Sequence, residues 1–156
     1  MNTQTTLEIL KSAQFTRSLK EAHLEKLAKM AFQVTYREGD MLYREGDLGD
    51  VLYIIIQGHV AVETHVPGKG RVTLLTVGPG QLLGWSAFFP HKLKTASSRA
   101  VTNVQALAIS TPQLREACRD DCEFGYEIVL HLANLIADRL KVTRLHLMDI
   151  FAHEEI

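Results

Sequence analysis

The sequence predicts a mainly β, α+β domain, an antiparallel sandwich or roll framed by helices at both ends. Helical periodicity over residues 5–32 gives way at Gln33 to short β-branched and aromatic runs punctuated by glycine. Helical periodicity returns at Thr111. A length of 156 residues fits one domain with a core of its own. The expected layout is a single domain over 1–156, with N-terminal helices at 1–32, the β segment at 33–110 and C-terminal helices at 111–152.

In the first block, Leu24, Leu27, Ala28 and Ala31 share one helical face. Ser18 precedes "LKEAHLEKLAKM" with Glu21 three residues on, the pattern of an N-cap with a capping box. In the β segment, "VLYIIIQGHVAVET" and "GKGRVTLLTVGPG" read as strands joined by glycine turns. "GHVAVE" alternates, with Val60 and Val62 expected on one face and Ala61 and Glu63 on the other. "STPQLREACRD" then opens a helix, with Ser110 or Thr111 as cap and Pro112 in the first turn, where its missing N–H costs nothing.

The longest pattern runs from about Tyr126 to Phe151. Val129, Ala133, Ile136, Leu140, Thr143, Leu147 and Ile150 follow alternating steps of four and three, a heptad seam with one polar member. Ile128, Leu132, Leu135 and Val142 form a second stripe beside it. A helix this broadly apolar needs more than one neighbour. One stripe is expected to pack on the β segment and the seam on a second copy, making a homodimer through Val129, Ala133, Ile136, Leu140, Thr143 and Leu147.

Composition narrows the function classes. A net charge of −1 with no basic cluster offers no footprint for nucleic acid. Cys118 and Cys122, four apart in an acidic stretch, lack the further ligands of a zinc site and read as reduced thiols of a cytoplasmic protein. No secretory leader or membrane-spanning run is visible. His59, His65 and His91 are scattered over turns, without the converging His and carboxylate set of a metal site. Ser86 lies in no His-plus-acid pattern, so neither metal nor nucleophilic catalysis is expected and no cofactor is required.

The chemistry concentrates in "GPGQLLGWSAFFPHKLKTASSRA". There a glycine turn and small residues adjoin a lone cation, a pattern suited to holding an anion on bare backbone N–H groups. The order of motifs resembles the cyclic-nucleotide-binding domain family over residues 8–152. "LYREGDLGDVLYIIIQGHVAVE" is similar to its glycine–acid turns and following strands, and "GPGQLLGWSAFF" to its "PGDFFGELAL". "KTASSRAVTNVQALAI" is similar to its "RTATVRALTDVELLxI". The tail "LIADRLKVTRLHLMDIFA" looks like the dimerisation helix of the catabolite activator protein and its relatives. The resemblance implies an antiparallel β-roll with N-terminal helices and a long C-terminal dimerisation helix.

It further implies that Gly84 lets backbone approach a ligand and that the Ser86 and Ala87 N–H groups point at its phosphate. Lys94 takes the place of the phosphate-binding arginine, with Thr95 as its small hydroxyl neighbour and Ala96 keeping the wall low. Thr143 matches a residue that reaches the base, in some relatives from the partner subunit, although a polar seam residue that fixes register gives the same pattern. Two departures weaken the grip expected on cyclic AMP or cyclic GMP. Trp85 replaces the ribose-binding glutamate, exchanging a charged acceptor for a single N–H donor. Lys94 offers a point charge in place of a bidentate fork. Trp85 either meets the ligand or plugs the cavity, and the second option would leave a non-binding dimeric interaction module.

Only "AHEEI" follows Phe151, so no recognition helix and no DNA binding are expected from these residues. The expectation is a stand-alone sensor whose output passes to a protein partner that the sequence does not identify.

Overall fold

The computed structural model describes residues 2–154; Met1, Glu155 and Ile156 lie outside it, the last two belonging to the terminal "AHEEI". The chain divides into two compact units, Met1–Ala117 and Cys118–Ile156.

The first unit begins with α1 (Thr3–Ser12), capped by the Asn2 side chain, whose Oδ1 accepts from the Thr5 N–H at 2.8 Å. Helix α2 spans Glu21–Met30. Its cap position is Lys20, without a side-chain cap bond, so the helix starts two residues later than the expected Ser18 cap would place it. A turn takes those residues instead. The Leu19 N–H donates to the Thr16 carbonyl at 2.9 Å, and Leu19 is buried. Glu21 pairs with Lys11 at 3.0 Å across the two helices. Leu7, Leu10, Leu24, Leu27 and Ala28 are buried, as the helical spacing demands.

Strand β1 (Ala31–Tyr36) starts two residues before the expected boundary at Gln33, because Ala31 and Phe32 already pair with Ile109 and Ala108. There follow β2 (Met41–Tyr43), β3 (Val51–Gln57), β4 (Val60–Val66), β5 (Gly70–Val77), β6 (Leu82–Leu83), a 3-10 turn (Trp85–Phe88), β7 (Ser97–Ala100) and β8 (Val104–Ser110). The strands form two antiparallel four-stranded sheets, ordered β1-β8-β3-β6 and β2-β7-β4-β5. Sequential strands alternate between sheets around both ends of the chain, which makes this a roll rather than a stack of hairpins. Tyr53, Ile55 and Ala106 from one sheet meet Val60, Val62, Val77 and Ala100 from the other in a shared apolar core.

The expected alternation in β4 is only half realised. Val60 and Val62 enter the core, but Ala61 and Glu63 are buried too. Glu63 is covered because the Arg99 Nε of β7 donates to its Oε1 at 2.8 Å and the Arg71 Nε of β5 lies 3.4 Å from its Oε2. The β3–β4 turn needs its glycine. Gly58 sits at φ +93°, and a Cβ there would overlap the Asn103 carbonyl. Gly58→Ala is therefore expected to cost about 1–3 kcal/mol, read as a lowered Tm with the fold retained.

Helix α3 (Thr111–Asp120) follows, with the Gln113 N–H 3.5 Å from the Ser110 hydroxyl, so Ser110 occupies the cap and Pro112 the first turn. In the second unit α4 covers Cys122–Glu154, starting ahead of the expected Tyr126 because the Asp121 carboxylate accepts from the Phe124 N–H at 3.2 Å. Ile128 and Leu132 of the second stripe are buried, whereas Leu135 is half-buried and Val142 exposed. Of the heptad seam, Val129, Ala133, Leu140, Thr143, Leu147 and Ile150 are exposed in the single chain, and Ile136 is half-buried. No helix among the described residues is long and apolar enough to cross a membrane. Cys118 and Cys122 form no disulfide.

Candidate functional site

Of the predicted pocket residues, Gly84, Ser86 and Lys94 come together. Strand β6 ends at Leu83, and Gly84 turns the chain at φ +85° into the 3-10 turn. A Cβ at Gly84 would stand 3.3 Å from the Lys94 Nζ and 3.4 Å from the Val51 carbonyl, and the left-handed φ is what favours glycine here. From the opposite wall, a Cβ at Gly49 would overlap the Lys94 side chain. Two glycines thus make the channel that admits Lys94.

Lys94 is 4% exposed. Its Nζ lies 3.3 Å from the Ser86 Oγ, 3.4 Å from the Gly84 carbonyl oxygen and 4.3 Å from the centre of the Tyr43 ring. Tyr43 supplies a cation–π face. Among the described residues no carboxylate pairs with this ammonium, and burial pulls its pKa from 10.5 down to about 8. A buried cation without a counter-charge is expensive, and a bound anion would offset that cost.

A pH dependence follows from the direction of this shift. Between pH 8 and 10.5 the folded protein has released the Lys94 proton while the unfolded chain still holds it. The unfolded state then binds more protons, so stability in the absence of ligand is expected to rise with pH across that window. Below pH 8 both states are protonated and the penalty is constant. Anion affinity should run the other way and fall above pH 8, since a neutral amine attracts no anion. Chemical denaturation from pH 7 to 10.5 measures the first effect.

One expectation needs correction. The Ala87 N–H donates to the Gly84 carbonyl at 3.0 Å, closing the 3-10 turn, so it does not point outward. That bond leaves the Ser86 N–H outside it. Ser86 contributes its hydroxyl to Lys94, and Ala87 is buried. Thr95 is exposed and Ala96 belongs to the apolar core. Trp85 is half-buried and packs edge-on against Phe89, with ring centres 6.1 Å apart. It is no member of the core cluster between the sheets. Thr143, in the second unit, donates its hydroxyl to the Arg139 carbonyl at 2.9 Å and is exposed.

Three residues escaped the sequence reading. Arg115 of α3 donates through one nitrogen to the carbonyls of Ala87 and Phe88, at 3.2 and 3.0 Å, and so clamps the end of the turn. Nothing in the spacing of residues 87 and 115 signals that bond. Tyr43 and Gly49 flank the "REGD" turn, but their approach to Lys94 is purely tertiary. A separate cavity of about 200 Å³, lined by Met41, Glu45, Glu63, Thr64, His65, Arg71 and Ser97, contains none of the predicted ligand residues. No cluster of side chains suited to a metal ion occurs among the described residues.

Comparison with known proteins places this geometry in context. Residues 33–121 match the cyclic nucleotide-binding domain. The chain is 31% identical over 144 residues to the CRP-like cAMP-activated global transcriptional regulator of Mycobacterium tuberculosis, an alignment covering 92% of this chain and 62% of that protein. The catabolite activator protein of Thermus thermophilus superposes with a TM-score of 0.73 at 26% identity, over 90% of this chain and 64% of that one. A cyclic nucleotide-binding domain from Methylobacillus flagellatus superposes with a TM-score of 0.81 at 22% identity, over 94% and 83% of the two chains, and shares the fold. The chain spans about three fifths of the length of the Mycobacterium tuberculosis relative. That domain match covers more than half of the chain, and the chain belongs to the cyclic nucleotide-binding domain family.

Proposed function

We propose that this domain is a sensor that binds a cyclic nucleotide, or a related small phosphate-containing anion, between the Gly84–Ala87 turn and Lys94. The observation that carries the reading is the buried Lys94 ammonium, which among the described residues has hydroxyl, carbonyl and ring neighbours but no carboxylate. An anion seated there completes the electrostatics that the fold leaves open. The half-buried Trp85, standing outside the core, supports a place for the indole beside the ligand rather than in the packing. Cyclic AMP and cyclic GMP are the first candidates, since the curated relative is described as cAMP-activated. The domain does no chemistry of its own in this reading. It acts as a homodimer through the α4 seam, of which Thr143 is the polar member, and passes its state to a protein partner.

Calorimetric titration with cyclic AMP and cyclic GMP tests the proposal. Wild type should bind at least one of them, and Lys94→Met should bind it roughly ten- to 150-fold more weakly. Absence of heat from both nucleotides in the wild type would favour the non-binding module in which Trp85 closes the site.

A further inference from the structure

Along the chain into β7, Ala96, Ser98 and Ala100 are buried, while Thr95, just before them, is exposed. Ala96 and Ala100 join the apolar core, and alternate residues of a strand share a face, so Ser98 points inward with them. Its Oγ is buried and has no hydrogen-bond partner. Only Thr111 shares that condition among the described residues, and it opens α3 rather than lying on the sheets. A lone buried hydroxyl lowers stability unless something pairs with it.

Its neighbours indicate what that partner is. Ser98 stands directly opposite Val62 of β4 and Tyr43 of β2. The β2–β7 ladder shifts register at this pair, but Tyr43 packs against the same core cluster as Ala96, Ala100 and Val62, which puts Ser98 and Tyr43 on the inner face together. The Tyr43 ring in turn lies under the Lys94 ammonium and beside Gly84. One aromatic ring therefore links the anion end of the site to the unpaired hydroxyl.

We infer that Ser98 is a specificity-determining residue of this site, hydrogen-bonding a polar ring atom of a ligand whose charged group rests at Lys94. The inference depends on the anion-binding reading of Lys94. It narrows the ligand class to an anion that carries a hydrogen-bonding ring, such as a nucleotide base, and sets aside a bare phosphate.

Calorimetry with inorganic phosphate, cyclic AMP and cyclic GMP on wild type, Ser98→Val and Lys94→Met separates the two claims. At least one nucleotide should bind wild type more tightly than phosphate does. Ser98→Val should weaken that nucleotide about tenfold and leave phosphate unchanged, whereas Lys94→Met should weaken both. Ser98→Ala adds no volume and should repeat the loss, which separates a missing hydroxyl from crowding. Unchanged nucleotide affinity in Ser98→Ala, or equal losses for phosphate and nucleotide, would overturn the role of Ser98. Phosphate binding as tightly as every nucleotide overturns Ser98 but keeps Lys94. A wild type that binds none of the three overturns both.

Discussion

Lys94→Met is expected to stabilise the ligand-free protein and to weaken its affinity for anions. The ammonium is buried, its pKa is drawn down to about 8 by burial, and no carboxylate compensates it. Replacing it with an apolar chain of similar length removes a desolvated charge that raises the free energy of the fold. The gain at neutral pH should be on the order of 2–3 kcal/mol, reduced by the lost contact with the Tyr43 ring. Binding should suffer by roughly ten- to 150-fold, the worth of a charge-assisted bond in a buried site. The two effects have opposite signs, and that combination is diagnostic. A residue held for structure alone would lower both stability and affinity when replaced. Denaturant titration and calorimetry on the same pair of proteins measure both.

Leu140→Asp is expected to convert a dimer into a monomer. Leu140 is half exposed in the single chain, on a helix whose Val129, Leu147 and Ile150 are about equally exposed. Such a row of large apolar side chains at heptad spacing calls for a partner helix. A carboxylate desolvated at its centre would weaken association by about a hundredfold or more. Because Leu140 contributes little burial within its own chain, circular dichroism should be unchanged. Sedimentation equilibrium should show a dimer for wild type and a monomer for the variant. Equal masses would remove the seam from the account.

Much of the fold was legible because local chemistry and tertiary packing agree. The glycine turns at Gly58 and Gly84 carry positive φ, and the strand runs between turns pair as expected. The resemblance placed Lys94 against the Gly84 turn, and the structure brings the two together. What stayed hidden depends on contacts distant in sequence. Ser18 has the residues of a capping box, but the buried Leu19 and the turn onto Thr16 move the helix start to Glu21. Glu63 reads as an outward charge, yet two arginines from neighbouring strands cover it. The Ala87 N–H could not be assigned from sequence either, since a 3-10 closure and an open helical turn differ by one hydrogen bond. Arg115, far along the chain from the turn it clamps, leaves no local pattern at all.

Proton uptake on binding tests the central electrostatic assignment most directly. A cyclic phosphodiester stays ionised near pH 8, so any proton taken up comes from the protein. An anion beside Lys94 restores the amine to its charged form. Titration with cyclic AMP or cyclic GMP at pH 8, in two buffers of different ionisation enthalpy, should register up to about half a proton gained per site, and none in Lys94→Met. Binding without proton uptake in the wild type, or the same uptake in Lys94→Met, would contradict it.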